Sequence, residues 1–486
     1  MIVQWLNNHC SLYQVGRRIT AEGQPHRRKY PWMVKRLIAA GWGLRAGLGL
    51  TAMGAALCAI PSAQAQGQMP DAPAPALVPQ ERALPDRLAD KPSQPPAFKI
   101  PVAPLGFTPP GAINLGLRNS VVSLDFLDEN RLLFTFRVPG LIHREAGERE
   151  AGEYEERQIR AVVLTLPAGT VEAEALWTIH DRQRYLWALN GGHFLLRDRN
   201  NLELGDATLA FKPFLRFAGP LLWLEMDPTQ QFLVTNTREP AAEGSKPGEA
   251  GNEGPLNGYG QKPDSDSDLE VRVLRRESGQ VMLVSRARST VHLPINSEGY
   301  LESLRTMGDE WLLNLKFFSG GSRIVGQVES SCWPLFDFLS EREVLVTTCT
   351  PQGAGKLVAM TTEGRRLWDA ETSDATVWAL VVRSPNGLRM AREALAVSHA
   401  VRARMTLDQG DIQGQLVEVL DASDGKVVLE TAASPILDGG GNVAISPSGR
   451  RVAVLNGGAI QVFELPAPTL LPEPASLAPG AHPPSR

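Results

Sequence analysis

Residues 121–136 read VVSLDFLDENRLLFTF. Apolar and polar side chains alternate from Val121 to Phe126, Asp128 to Asn130 form a polar bend, and a second apolar run ends at Phe136. Period two marks a strand with one face in a core, and two such runs around a short polar bend read as an antiparallel hairpin. The pattern returns at 222–235 (LWLEMDPTQQFLVT), 335–348 (LFDFLSEREVLVTT) and 443–455 (VAISPSGRRVAVL), where Pro447, Ser448 and Gly449 supply turn chemistry. Looser copies begin near Tyr185, Val291 and Val377.

A second kind of hairpin lies between these copies, at 162–179, 357–370 and 416–432, the last with Asp424-Gly425 at its bend. Two hairpins make one four-stranded antiparallel unit. Starts near 121, 185, 221, 291, 335, 377 and 443 give seven units. After the last start only 459–463 (AIQVF) can form another strand, so that unit is one strand short. Residues 113–117 (INLGL) alternate and precede the first unit, so they are expected to supply the missing outer strand.

Repetition of this kind resembles the β-propeller superfamily, with features of WD40 and quinoprotein-like blades. The SPSG turn at Ser446 to Gly449 is similar to the SPDG turn of WD40 first hairpins, and Leu176-Trp177 and Leu367-Trp368 are similar to quinoprotein-like blade ends. The resemblance spans about 350 residues, although Trp-Asp and Gly-His pairs do not recur unit by unit. It implies an all-β fold of about seven four-stranded blades, the last closed by an N-terminal strand. A lone blade cannot bury both faces, whereas a ring lets each cover its neighbour. The competing arrangement is a pair of β-sandwich domains, which share short strands and tight turns.

Flanking segments have a different composition. Basic residues at Lys35, Arg36 and Arg45 precede a fifteen-residue uncharged run, 46–60, and then Ala63-Gln64-Ala65. This reads as a signal peptide cut between Ala65 and Gln66, with Met33 as the expected start. A spanning helix needs about 20 apolar residues, more than this run supplies. Lipidation at Cys58 and the twin arginines 17–18 and 27–28 offer weaker export routes, since Leu57 is too large and no twin-arginine pattern follows. Twelve prolines in 67–111 predict an extended linker over 66–111, because each proline removes an amide donor. Polar residues 238–268 read as a disordered insertion, and 466–486, with seven prolines, as a disordered tail. That leaves 112–465 for the folded body.

The full chain has 49 basic and 53 acidic residues, a net charge of −4. Removing 1–65 takes eight basic residues and one acidic residue, leaving 41 and 52, a net −11. This balance argues against nucleic acid and anionic membranes as partners. Cys332 and Cys349 flank the 335–348 hairpin and would face each other across it. Cross-strand Cβ atoms lie about 4.5–5.5 Å apart, so a small shift allows a disulfide, which an oxidising compartment favours.

No G-x-S-x-G, P-loop, H-E-x-x-H or C-x-x-C occurs. His143, His180, His193, His292 and His399 show no ligand spacing, and His193 reads as a solvated turn residue. Asp264, Asp266 and Asp268 imitate a calcium loop, but Leu269 and Arg275 stand where Gly and Glu are needed. The acidic run 145–156 reads as a rim loop, and Gly320-Gly321-Ser322 and Gly439-Gly440-Gly441 as turns rather than phosphate loops. Trp177, Trp187, Trp223, Trp311, Trp333, Trp368 and Trp378 read as blade-packing anchors on strands.

No catalytic, cofactor or metal residue is therefore assigned. The expected function is a monomeric, exported scaffold, periplasmic or secreted, that binds a protein or peptide without catalysis. The alternative is a propeller enzyme with a channel site: a quinoprotein-like dehydrogenase using pyrroloquinoline quinone or calcium, a lactonase-like hydrolase, or a glycan-active enzyme. A third role is assembly in the envelope. Carboxylates with raised pKa values converging in the channel would favour an enzyme, and an apolar rim patch would favour binding.

Overall fold

A computed structural model describes residues 94–109, 113–114, 122–139, 156–180, 184–238, 269–287, 290–350, 355–373, 375–398, 409–437 and 439–468. The signal segment, most of the insertion, the calcium-like loop and the last eighteen residues lie outside them. So do His143, His399 and the acidic run up to Glu155. Among the described residues every regular element is a strand apart from two single-turn 3₁₀ segments.

Seven antiparallel sheets follow one another along the chain as the blades of a β-propeller. Blade 1 comprises Val122–Phe126, Arg131–Arg137, Arg157–Thr165 and Thr170–Ile179, in that spatial order. Blades 2, 3, 5 and 6 repeat the scheme from first strands Leu186–Leu189, Leu221–Met226, Leu335–Ser340 and Thr376–Arg383. The first strand of blade 7 touches those of blades 6 and 1, and that of blade 1 touches that of blade 2, so the first strands face the central channel.

Local sequence explains why the inner segment ends where it does in every blade but the second. Asp128, Asp227, Asn296, Ser340, Ser384 and Ser446 follow or end these strands, and each side-chain oxygen accepts an amide of the bend that follows. Short polar side chains compete with the ladder in this way and turn the chain back.

Blade 4 departs from the scheme. Its regular sheet has three strands, Gly299–Arg305, Glu310–Phe317 and Ser322–Glu329. Residues 290–296 run where the first strand belongs, but their pairing with the sheet is confined to the Ile295–Tyr300 bridge, where Leu301 N donates to Pro294 O at 2.9 Å and Asn296 N to Gly299 O at 3.0 Å.

Blade 7 contains Val443–Ile445, Arg451–Asn456 and Ala459–Glu464, and its outer strand is Phe98–Pro101. An N-terminal strand does close the ring, but it is not 113–117. Ile113–Asn114 instead pairs in parallel with Ile436–Leu437. The closing strand lies inside the stretch expected to stay a proline-rich linker. Proline is excluded from inner strands but tolerated at an edge, and Pro101 pairs with Ala459 on the outermost strand. Ile100, Val102 and Phe107 then enter a core with Phe134, Phe136 and Val462, all 5% exposed or less.

Most core clusters join adjacent blades. Trp177 of blade 1 lies 5.8 Å from Phe194 of blade 2, and Trp368 of blade 5 donates to Ala422 O of blade 6 at 2.7 Å. Trp187 and Trp311 are likewise buried, as expected. Trp333 is half-buried in the blade 4–5 connection rather than on a strand, 4.6 Å from Trp311. The side chain of Trp378 lies outside the described residues. Cys332 and Cys349 form the disulfide, with Cα atoms 5.5 Å apart.

Candidate functional site

The first strands bring charged residues from far-apart sequence positions into the channel. Glu225 of blade 3, His292 of blade 4 and Asp337 of blade 5 form a chain. His292 Nδ1 bonds Glu225 Oε1, while His292 Nε2 lies 3.1 Å from Phe336 O and 3.4 Å from Asp337 Oδ1. Glu225 also accepts Trp223 Nε1 at 2.5 Å and Leu293 N at 3.0 Å. Burial disfavours the imidazolium, but the carboxylates of Glu225 and Asp337 outweigh it and raise His292 well above its ordinary value. Burial would raise Asp337, yet His292 and Arg383 hold its carboxyl below the ordinary value. Both ring nitrogens face oxygen acceptors, so the group acts as a protonated bridge rather than a metal ligand.

Arg383 of blade 6 crosses towards this bridge. Its guanidinium bonds Phe338 O of blade 5 and lies 3.5 Å from Met226 O of blade 3. One side chain thus spans the channel where the first strands approach their bends.

A second group occupies the other side. Ser123 Oγ donates to Asp125, and Arg184 acts electrostatically on both Asp125 of blade 1 and Glu393 of blade 6. Burial raises the Asp125 pKa against the pull of Arg184 and Ser123. Burial also pushes Glu393 up to about 8, with Arg184 opposing. Glu393 is 1% exposed. Its Oε2 accepts Gln415 Nε2 at 3.1 Å, and its Oε1 has no hydrogen-bond partner among the described residues. Gln415 in turn accepts Leu437 N and Asn442 Nδ2, which ties blade 6 to blade 7.

Gly439-Gly440-Gly441 delivers the chain to blade 7 beside Glu393. A Cβ on Gly440 would lie 3.9 Å from both Glu393 carboxyl oxygens, and one on Gly441 would lie 2.2 Å from Val122 O. Gly441 also has φ of +98°, so the seam between blades 7 and 1 requires glycine there. Gly320 and Gly321, by contrast, form an open hairpin turn at φ +95° and +84°.

His180 bonds Asp198 between blades 1 and 2, and His193 begins the second strand of blade 2, exposed as expected. The channel bridge escaped the sequence because Glu225 and Asp337 lie 67 and 45 residues from His292. Only the phasing of each first strand against its bend could have shown that these positions converge. A separate surface hollow of about 630 Å³, between Met282 of blade 3 and Phe317 and Arg323 of blade 4, holds none of these groups.

The sequence matches no protein-family model and no curated protein. Among solved structures it is similar to Pyrococcus horikoshii acylaminoacyl peptidase, with TM-score 0.42 and 11% identity over 71% of this chain and 51% of that one. It is also similar to a eukaryotic initiation factor, with TM-score 0.32 and 13% identity over 66% of this chain and 80% of that one. Hsv2 of Kluyveromyces marxianus gives TM-score 0.31 and 11% identity over 56% and 69%. This chain spans about half the length of the peptidase. Likenesses this distant assign neither an activity nor a partner. Its own strand order is what makes the chain a seven-bladed β-propeller.

Proposed function

We propose that this protein is an exported, monomeric, non-catalytic scaffold that binds a protein or peptide. One observation carries the reading: of the four channel carboxylates, all but Glu393 are already engaged. Glu225 and Asp337 share His292, while Asp125 is held by Ser123 and faces Arg184. A general acid and base need to be poised for a substrate proton, and these groups are spent on joining blades. Export rests on the signal-like segment cut at Ala65 and Gln66, and the Cys332–Cys349 disulfide agrees with an oxidising compartment. No helix among the described residues is long and apolar enough to cross a membrane.

The enzyme alternative draws on Asp125 and Glu393, whose raised pKa values meet the criterion set out above. Crosslinking of the full chain in an envelope fraction, followed by reconstitution with the purified partner, tests the proposal. A saturable complex without turnover is expected. Oxidation of alcohols with pyrroloquinoline quinone and calcium, or hydrolysis of lactones or glycans, lost in Glu393→Gln, would overturn it.

A further inference from the structure

Among the described residues, charge in the channel does not balance. Four carboxyl groups, Asp125, Glu225, Asp337 and Glu393, meet three cationic groups, Arg184, His292 and Arg383. With every group ionised, these described residues leave one negative charge over. The surplus falls at Glu393, whose buried Oε1 has no hydrogen-bond partner among the described residues. A buried carboxyl oxygen in that condition is destabilising until a donor reaches it.

Apolar surface lies beside it. Leu380, on the first strand of blade 6, pairs with Glu393 and is 36% exposed. Leu380 and Glu393 both approach Gly440, where a Cβ would lie 3.0 Å from the leucine methyl. Leu380 and Arg184, both exposed, show that solvent reaches this part of the channel. An aliphatic stem can therefore run over Leu380 while a cationic donor meets the carboxyl.

We propose that this part of the channel binds a primary alkylammonium group, from a free aliphatic amine or from a lysine side chain. The assignment rests on the scaffold reading and deepens it. An ammonium supplies both the hydrogen bond that Oε1 needs and the single positive charge that balances the channel. The positive charge of Arg184 acts on Glu393 and disfavours a divalent metal ion beside it. Among the described residues the charged group acting on Glu393 is Arg184, which also acts on Asp125, while Gln415 and Gly440 present uncharged faces.

Calorimetric titration of the full chain with n-butylammonium and with a lysine-containing tetrapeptide tests the site, in buffers of different ionisation enthalpy. Saturable binding at pH 7 is expected to release close to one proton per amine. Affinity should rise about tenfold from pH 6 to pH 7 and level off above about 8. Glu393→Gln should abolish the proton release, and Asp125→Asn should weaken binding while leaving the release in place. Binding of the peptide alone assigns the cation to a lysine side chain, and binding of both assigns it to any alkylammonium. No saturable heat with folded protein would overturn the site and leave rim binding intact. Binding indifferent to Glu393→Gln would also overturn it. Consumption of the bound amine would keep the site and overturn the scaffold reading.

Discussion

The seam between blades 7 and 1 and the sector from blade 3 to blade 5 solve the same problem by different means. At the seam, Phe98–Pro101 completes a regular ladder against Ala459–Glu464, and an aromatic cluster of Phe107, Phe134 and Phe136 fills the gap to blade 1. Across the ring, residues 290–296 have almost no ladder of their own. Side chains of the neighbouring blades hold them instead. Asn236 accepts Val291 N at 2.7 Å and donates to Val291 O at 3.2 Å, standing in for a paired strand. Glu225 accepts Leu293 N, and Asn296 Nδ2 donates to Glu341 O. Where backbone pairing is continuous, apolar burial suffices to join blades. Where it lapses, buried polar groups take its place, because an unmet amide there would be costly.

The seam should be the more sensitive to lost volume. Phe134→Ala leaves a cavity in a fully buried aromatic cluster and should cost about 3–5 kcal/mol in urea unfolding. A cost near that of a surface change would break the comparison.

The opposite sector should be the more sensitive to lost charge and to pH. His292→Ala strands Glu225 and Asp337 and should cost about 3–4 kcal/mol near pH 6. His292 is raised in the folded state, so its contribution is complete below about 6.5 and fades as pH rises through the folded value. Asp337 is lowered, so its share is present above 3.8 and fades as pH falls through its folded value. The stability gap between wild type and variant should therefore be widest from about pH 4 to 6.5. A gap that is flat with pH would remove the bridge from the account.

Replacing Cys332 and Cys349 by serine should cost about 3 kcal/mol, as expected for a loop of 17 residues, without altering the seam. The smallest effect belongs to Glu129→Ala. Glu129 of blade 1 accepts Ser448 N at 2.5 Å and Ser448 Oγ at 2.9 Å from blade 7, at the solvent edge. Its loss should cost about 1 kcal/mol, read as a shift in urea midpoint.

The difference between these regions also decides how much could be read in advance. Blade starts near 121, 185, 221, 335, 377 and 443 were visible because alternation and bend residues are local properties. That an N-terminal strand closes the ring follows from the missing partner of 459–463. Its identity did not follow, since 113–117 alternates more cleanly than Phe98–Pro101, and an edge strand forgives Pro101. The channel was the least legible part. Glu225, His292 and Asp337 each look like a polar residue on the exposed face of its own strand, and their chemistry comes only from ring geometry.

Closure by Phe98–Pro101 has a consequence for synthesis. The first strand of the body to leave the ribosome pairs with one of the last, so it must wait for Ala459–Glu464 to appear. At about 5–20 residues per second that interval is roughly 20–70 s. Throughout it Ile100 and Val102 can rest on blade 1 but lack Ile460 and Val462, and the nascent chain offers their uncovered side to any chaperone, protease or sister polypeptide within reach.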